Sequence, residues 1–186
     1  MSYRGKTLLL GNAEVGKTSI LARYAEGIFK DEYEATIGAN FIVKEIDLSN
    51  VLKGLDFEDK EDFRKKGFKL YIWDICGQYD KLFVTEYYFY NALGAFVVFD
   101  ITKEKSFNDI NLWVEKMKSL SGDIPFVLVA NKVDLKNDFA IEEREIEEKA
   151  QEYGVPLIKT SAKKNIKIDL AFETLAKLII EKSFTE

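Results

Sequence analysis

The stretch TLLLGNAEVGKT, residues 7–18, determines the fold that we expect for this chain. Its apolar start is typical of a buried strand, and the residues that follow match the pattern G-x-x-x-x-G-K-T. Gly11 and Gly16 permit backbone angles that side chains disfavour, so successive N–H groups can turn towards one anion. The helix that begins near Lys17 adds its positive end to the same place. The stretch therefore predicts a strand, a phosphate-binding loop and a helix. The alternative interpretation is a glycine-rich turn with an exposed lysine.

Two side chains of this loop have expected tasks. Lys17 would reach the β- and γ-phosphates of a nucleotide as a cation, and the Thr18 hydroxyl would bind Mg²⁺. The residues expected to surround the phosphates are Asn12, Ala13, Glu14, Val15, Gly16, Lys17, Thr18 and Ser19. In this context the motif predicts a protein that binds a nucleoside phosphate.

The composition is that of a folded domain and excludes several kinds of chemistry. The chain has 186 residues, 47% of them hydrophobic and 32% charged, which predicts one globular domain over residues 1–186. It has no histidine, which excludes Ser-His and Cys-His catalysis and histidine metal sites. A single cysteine, Cys76, excludes an internal disulfide and fits a reducing compartment.

Charge and hydropathy indicate where the chain acts. The net charge of -5 disfavours a nucleic acid as a partner. No apolar run approaches the roughly 20 residues that span a bilayer, and the N-terminus lacks the apolar segment of a secretory signal. We therefore expect a cytoplasmic monomer that contacts membranes, if at all, through partners.

Short apolar runs alternate with longer amphipathic segments along most of the chain. Residues 94–100 and 125–131 are almost continuously apolar, which suits strands that are buried on both faces. Residues 107–120 and 168–179 carry apolar side chains at three- and four-residue spacing, which predicts helices. Residues 155–158 have the composition of a last strand. This order predicts a doubly wound α/β fold with ligand loops at the carboxyl ends of the strands.

The segment NVLKGLDFEDKEDFRKKG, residues 50–67, interrupts the alternation of predicted strands and helices because it is dense in charged residues. We expect it to be an insertion in a hairpin between antiparallel strands at residues 40–48 and 68–73. It exceeds an ordinary hairpin loop by about fifteen residues. One interpretation is a solvated loop or short helix without a task, and the other is an element that binds a partner.

A second motif, DICGQ at residues 74–78, follows a predicted strand. Asp74 can hold Mg²⁺, usually through water. Gly77 has no Cβ, so its N–H can approach a γ-phosphate closely. Gln78 has both a donor and an acceptor and can orient an attacking water. The expected catalytic residues are therefore Gln78, Lys17 and Gly77.

Two motifs that follow the last two predicted strands, NKVD at residues 131–134 and TSAK at residues 160–163, predict the base. The Asp134 carboxylate accepts only, so it can take hydrogen bonds from N1–H and the 2-amino group of guanine. Adenine lacks this pair of donors and would leave the carboxylate unpaired, which strongly disfavours adenine. The expected base is guanine.

The other residues of these two motifs complete the predicted base site. Lys132 would lay its alkyl stem over the base, Asn131 would connect neighbouring loops, and Ala162 would offer its N–H to the guanine O6. The full expected set is Asn131, Lys132, Asp134, Ser161, Ala162 and Lys163.

In this order, the four motifs resemble those of the small GTPases of the Ras superfamily, and most of all those of the Rab branch. The resemblance extends from about Lys6 to about Lys182, apart from the 50–67 insertion. It implies the P-loop NTPase fold of small G-proteins, an α/β fold with helices on both faces of a mostly parallel six-stranded sheet that has one antiparallel edge strand. It also implies GTP, GDP and Mg²⁺ as ligands.

The resemblance assigns tasks to residues outside the four motifs. Phe29 would flank the guanine, and Tyr33 would cover the phosphates. Thr36 would bind Mg²⁺ only while the γ-phosphate is present, so hydrolysis would release its loop and change the conformation of the switch. The implied switch regions are at about residues 29–41 and 74–90.

An aromatic patch is a further implication of the resemblance to Rab proteins. The sequence TIG at residues 36–38, Phe41 and Trp73 are similar to that branch, in which Phe41, Trp73 and Tyr88 would form a patch that effectors bind. The alternative is that the three rings simply pack together. An exchange factor and an activating protein are further implied partners.

Several positions depart from the family pattern. Ala13 stands where glycine is common beside the γ-phosphate, which predicts slow intrinsic hydrolysis. Phosphates repel the Glu14 carboxylate, so we expect its side chain to point outward. Tyr79-Asp80 replaces the usual Glu-Arg, which weakens the expectation of a familiar activating protein. For Cys76 we expect a buried, inert role, with redox sensing as the alternative.

Lipid anchors are not expected on this chain. Its last residues, KSFTE, contain no cysteine for prenylation, and Ser2 stands where N-myristoylation requires glycine. Either a tail has been removed or the natural protein uses no lipid anchor.

The combined expectation is a Mg²⁺-dependent GTPase switch that obtains its catalytic arginine from an external activator. One rival is a GTP-bound scaffold that hydrolyses too slowly to switch, which Ala13 and Tyr79-Asp80 suggest. The other is a nucleotide kinase, against which the two base-side motifs and the lack of an arginine-rich lid argue.

Overall fold

The computed structural model describes residues 2–30, 36, 38–77 and 86–184. The strands are β1 (Tyr3–Leu10), β2 (Ala39–Ile46), β3 (Phe68–Ile75), β4 (Gly94–Asp100), β5 (Phe126–Asn131) and β6 (Leu157–Lys159). The helices are α1 (Lys17–Glu26), α2 (Leu48–Val51), α3 (Lys60–Lys66), α4 (Glu104–Asn108), α5 (Ile110–Ser121), α6 (Glu143–Tyr153) and α7 (Ile168–Phe184). Short 3₁₀ turns lie at Glu86–Tyr88 and Lys136–Asp138.

The six strands form one sheet in the order β2-β3-β1-β4-β5-β6. All neighbouring pairs are parallel except β2 with β3, and β2 lies at the edge. This confirms the predicted α/β fold with a mostly parallel six-stranded sheet and one antiparallel edge strand. The loops that follow β1, β3, β4, β5 and β6 emerge at one edge of the sheet, where parallel strands end.

Two apolar cores cover the two faces of the sheet, and this explains the unbroken apolar runs in the sequence. On one face, α1 and α7 pack through residues such as Ile20 and Phe172. On the other, α5 packs through Trp113 and Met117. All residues of β4 and β5 are buried, as predicted for central strands between two helical layers.

Some element boundaries differ from the sequence predictions. The strand predicted at residues 40–48 ends at Ile46, because Asp47 accepts a hydrogen bond from the Ser49 N–H and caps α2. The apolar face at residues 107–120 is divided between α4 and α5, which meet at Asp109. No helix in the described ranges combines the length and apolar character needed to span a membrane.

The charge-dense segment between β2 and β3 folds against the body of the protein. It forms the short helices α2 and α3, and its apolar side chains point inward. Val51, Leu52, Leu55 and Phe63 are buried, and Phe63 has no exposed surface. The prediction of a short helix is therefore confirmed. The segment is not a purely solvated loop, since part of it is buried. Whether the segment also binds a partner remains a prediction.

Candidate active site

A cavity of about 780 Å³ lies at the carboxyl ends of the strands. Predicted site residues that line it are Ala13, Glu14, Gly16, Lys17, Thr18, Ser19, Phe29, Thr36, Gly77, Asn131, Lys132, Asp134, Ala162 and Lys163. Residues without a sequence prediction that also line it include Ile28, Asn40 and Leu135. The volume falls in the usual range of small-molecule sites. The fold thus brings the phosphate-loop motif and the base-side motifs to one cavity.

The loop between β1 and α1 has the geometry that its glycines permit. Gly11 and Gly16 have φ angles of 137° and 97°. A Cβ on Gly11 would lie 2.1 Å from the backbone oxygen of Val98, so the loop can rest on β4 only if that residue is glycine. Gly16 precedes the first residue of α1, which turns the helix N-terminus towards the cavity.

Lys17 is the buried cation of this loop. Its Nζ donates to the backbone oxygens of Gly11 and Asn12, both at 2.8 Å, and only 6% of the residue is exposed. Burial lowers the pKa of Lys17 to about 8. An anion in the cavity would favour the charged ammonium, because an opposite charge stabilises the protonated form.

Three predicted metal-binding residues converge beside the loop. The Thr18 hydroxyl donates to Asp74 Oδ2 at 2.5 Å and lies 3.0 Å from the Thr36 hydroxyl. Asp74 is fully buried near the end of β3, where it lies opposite Leu9 in the register with β1. Burial raises the pKa of Asp74, while Lys17 and the two hydroxyls act in the opposite direction.

This group of oxygens fits a magnesium ion. Asp74 Oδ1 is buried and has no hydrogen-bond partner within the described part of the chain, although buried carboxylate oxygens normally have one. Mg²⁺ prefers hard oxygen ligands and is usually held by one or two carboxylates together with substrate phosphates. No cluster of three or more acidic or cysteine side chains suited to a metal occurs among residues that the structure describes.

Gly77 lies directly against the phosphate loop. Its carbonyl oxygen accepts a hydrogen bond of 3.0 Å from the Ala13 N–H. A Cβ at this position would lie 2.3 Å from the same nitrogen and 2.4 Å from the carbonyl carbon of Asn12. These are backbone atoms, so a side chain here requires the two loops to separate.

We expect Gly77→Ala to lower the free energy of unfolding by about 1–3 kcal/mol because the added methyl group overlaps backbone. Urea denaturation measures this directly. Gly54→Ala serves as a comparison for backbone strain without a clash: Gly54 has a φ of 76° and open space around it, so its loss of about 1–2 kcal/mol would come from the backbone angle alone. Wild-type stability in Gly77→Ala would contradict the close approach.

The base side of the cavity is organised by Asn131. Its Nδ2 donates to the Val15 oxygen at 2.8 Å, and its Oδ1 accepts from the Thr160 hydroxyl at 3.1 Å and the Ala162 N–H at 3.4 Å. It therefore connects the phosphate loop to the loop after β6, as the sequence predicts. Asp134 accepts a hydrogen bond of 2.5 Å from the buried Ser161 hydroxyl, which orients its carboxylate.

Two further residues that sequence reasoning missed support the base side. Asp100, fully buried at the end of β4, pairs with the Lys132 ammonium at 2.6 Å. Arg23 on α1 donates from Nε to the Ala162 oxygen at 2.9 Å and from a terminal nitrogen to the Lys163 oxygen at 3.3 Å. Asp100 could have been predicted from the sequence, because it is the polar residue at the end of an apolar strand. No pattern in the sequence indicates the role of Arg23.

Four predicted site residues do not line the cavity. Asn12 turns towards α5: its Nδ2 donates to Asp109 at 2.6 Å, and its Oδ1 accepts from the Trp113 indole at 2.7 Å. Val15 packs in the core, while Asp74 and Ser161 lie behind lining residues. Tyr33 and Gln78 lie outside the described residues.

Phe29 and two departures from the family pattern also have defined surroundings. The Phe29 ring lines the cavity and lies 5.8 Å from the Lys163 ammonium. Glu14 has a φ of 66°, and its carboxylate pairs with Lys103 at 2.7 Å on the protein surface. Cys76 is buried, with 4% of its surface exposed, as expected for an inert role.

The three rings of the predicted aromatic patch are in contact. The Phe41 and Trp73 centroids are 4.6 Å apart, and those of Trp73 and Tyr88 are 4.9 Å apart. Phe41 is 42% exposed, so the patch reaches the surface. The three rings therefore pack against one another and also present apolar surface to solvent.

The fold and this cavity define a P-loop nucleotide-binding protein. A sequence model of the Ras family matches residues 6–181, and the chain belongs to that family. Ras-related protein Rab-13 of Bos taurus is 34% identical over 179 residues, which are 96% of this chain and 81% of the relative. Rab-8A of Bos taurus and Rab-8A of Rattus norvegicus are each 35% identical over 176 residues, 94% of this chain and 78% of the relative. The predicted resemblance to Rab-like small GTPases is confirmed.

Proposed function

We propose that this chain is a Rab-like molecular switch that binds GTP and GDP with Mg²⁺ and hydrolyses GTP to GDP and phosphate. The observation that carries the proposal is one cavity with an oxygen cluster around Asp74 at one end and the Asp134 carboxylate at the other. The first end suits a magnesium-bound phosphate, and the second suits guanine.

The phosphate end would act through positioning and charge. Backbone N–H groups of the loop and the start of α1 would hold the phosphates, and Lys17 would balance the charge that develops on them. Thr18, Thr36 and Asp74 would hold Mg²⁺, which neutralises phosphate charge when bound. Gly77 would donate its N–H to the γ-phosphate, and Gln78 would orient the water for in-line attack.

The base end would select guanine through a supported carboxylate. Asp134 would accept from N1–H and the 2-amino group, and the Ser161 hydroxyl keeps the carboxylate oriented. Lys132, held by Asp100, would cover one face of the base, and Phe29 would flank its edge. Ala162 would donate its N–H to O6.

Partners would complete the cycle. None of the four arginines, Arg4, Arg23, Arg64 and Arg144, lines the cavity, and all four belong to the described residues. An activating protein that supplies an arginine to the phosphates is therefore part of the proposal. Effectors would bind the switch regions and the patch of Phe41, Trp73 and Tyr88, and an exchange factor would release GDP.

The hydrolysis step is tested with Gln78→Leu. We expect purified wild-type protein loaded with GTP and Mg²⁺ to release phosphate slowly over hours, and the variant to be at least ~10-fold slower, since it cannot orient water. Affinity for GTP should be unchanged, which is the internal control. Equal turnover in both proteins would contradict the assigned role of Gln78. GTP that stays intact in both would point either to a switch that waits for its activating protein or to the alternative function, a GTP-bound scaffold.

A further inference from the structure

A second, shallower cavity lies on the face of the sheet formed by β2, β3 and β1. Strand register places Phe41 opposite Trp73 and Lys6 opposite Tyr71, and side chains two apart along a strand share a face. The cavity has a volume of about 440 Å³ and does not overlap the candidate active site. We call it the cationic groove; it is lined by Arg4, Lys6, Phe41, Tyr71, Trp73, Asn91 and Leu93.

Two cations in this groove have no acidic partner among the residues that the structure describes. The Arg4 guanidinium lies 5.7 Å from the Tyr71 ring centroid, and the Lys6 ammonium lies 5.7 Å from the Trp73 centroid. Lys6 also donates to the Tyr90 backbone oxygen at 2.6 Å. No carboxylate among the described residues forms an ion pair with either cation, although the chain carries a net charge of -5. Partial burial lowers the pKa of Lys6, as desolvation without a counter-charge does.

The apolar part of the groove is open to solvent. Phe41 is 42% exposed and Leu93 is 39% exposed, although both are large apolar side chains. Aromatic rings and arginine are the residue types that contribute most to protein interfaces. A cation that already rests on a ring loses less conformational freedom when it pairs with a carboxylate.

From charge complementarity and exposure, we infer that the cationic groove binds a peptide segment of a partner protein in which a carboxylate stands next to an aromatic or aliphatic side chain. Arg4 and Lys6 bind the carboxylate of the peptide. Its apolar side chain packs against Phe41, Trp73 and Leu93. The inference rests on the proposed function, because it names the chemistry of the effector that the aromatic patch would bind. Two basic residues are too few for an anionic membrane, where electrostatic attachment uses clusters of roughly four to eight.

The test uses a phage-displayed library of short random peptides, selected on the protein loaded with a non-hydrolysable GTP analogue. Synthetic copies of selected peptides are then titrated calorimetrically against wild type, Arg4→Gln/Lys6→Gln and Phe41→Ala. The matched control is Arg64→Gln/Lys65→Gln, which removes the same charge from exposed positions on α3. Salt dependence of binding to wild type gives a second measurement that needs no variant.

We expect selected peptides to be rich in Asp or Glu beside Phe, Trp, Tyr or Leu. Affinity should fall at least about tenfold in Arg4→Gln/Lys6→Gln and in Phe41→Ala, and by less than about twofold in the control. It should also weaken as salt increases. Selected peptides without acidic residues, or equal affinity in the groove variant and the control, would overturn the inference. Vesicles of phosphatidylcholine and phosphatidylserine that bind wild type but not the groove variant would overturn it in favour of a membrane.

The two proposals can fail separately. Acidic peptides that bind the groove with equal affinity in the GDP-bound and GTP-analogue-bound proteins would support the groove inference. The same result would contradict the proposal that the nucleotide controls partner binding at this surface. If hydrolysis depends on Gln78 but no acidic peptide is selected, the GTPase stands and the groove inference fails.

Discussion

Asp134→Asn is expected to lower affinity for GTP by roughly 10²- to 10⁴-fold and to raise affinity for xanthosine triphosphate, relative to wild type. The carboxylate would accept two hydrogen bonds from guanine, and an amide can accept only one of them. Xanthine has a carbonyl where guanine has the 2-amino group, so the Asn amide can donate to it. Competition with a fluorescent guanine nucleotide measures both affinities.

The substitution separates base recognition from folding. An Asn Oδ1 can still accept the Ser161 hydrogen bond, so the loop should keep its shape. Asp138→Asn is the matched control, because it removes one exposed carboxylate from the neighbouring 3₁₀ turn without contact with the cavity. If Asp134→Asn retained the wild-type preference for guanine, the proposed orientation of the base would be wrong.

Phe63→Ala is expected to lower the free energy of unfolding by about 3–5 kcal/mol, because it removes a buried aromatic side chain. The Phe63 ring has no exposed surface. It stacks on Tyr3 at 4.4 Å between centroids and meets Phe184 at 5.2 Å and Phe68 at 5.7 Å. The loss corresponds to a decrease in melting temperature of roughly 6–20 °C for a chain of this size.

The same experiment tests whether the insertion belongs to the core. Lys65→Ala, exposed on the same helix, is the control and should change stability by less than about 0.5 kcal/mol. Nucleotide affinity should be unchanged in both variants, since none of residues 47–67 lines the cavity. Wild-type stability in Phe63→Ala would show that α3 packs loosely and that the insertion folds without supporting the rest of the chain.

The central elements of the fold are predictable because their environment is uniform. Parallel strands buried on both faces leave unbroken apolar runs, so the run at residues 94–100 predicts β4 with its observed bounds. The insertion is different. Phe63 is one apolar residue among charged neighbours. Besides the nearby Phe57 and Phe68, the rings around it are those of Tyr3 and Phe184, which lie far from it in the sequence. The sequence pattern around residue 63 therefore cannot predict contacts with residues so distant in the chain.

The residues of the candidate site also fall into those that the sequence predicts and those that it does not. Lys17, Asp74 and Asp134 are predicted because their motifs combine a fixed residue type with a fixed place at the end of a strand. The residues that hold these motifs are predicted less well. Arg23 supports the loop after β6 from α1, although 139 residues separate it from Ala162.

The sequence by itself determined the class of fold, the order of the strands along the chain, and the loops that would carry phosphate and base chemistry. Those features depend on backbone freedom at glycine and on hydropathy over a few residues, and both are local. Only the tertiary structure decided that Asn12 is held by Asp109 and Trp113, and that Asp100 holds Lys132. These contacts depend on how helices and strands pack across the sheet, which no short segment of sequence can specify.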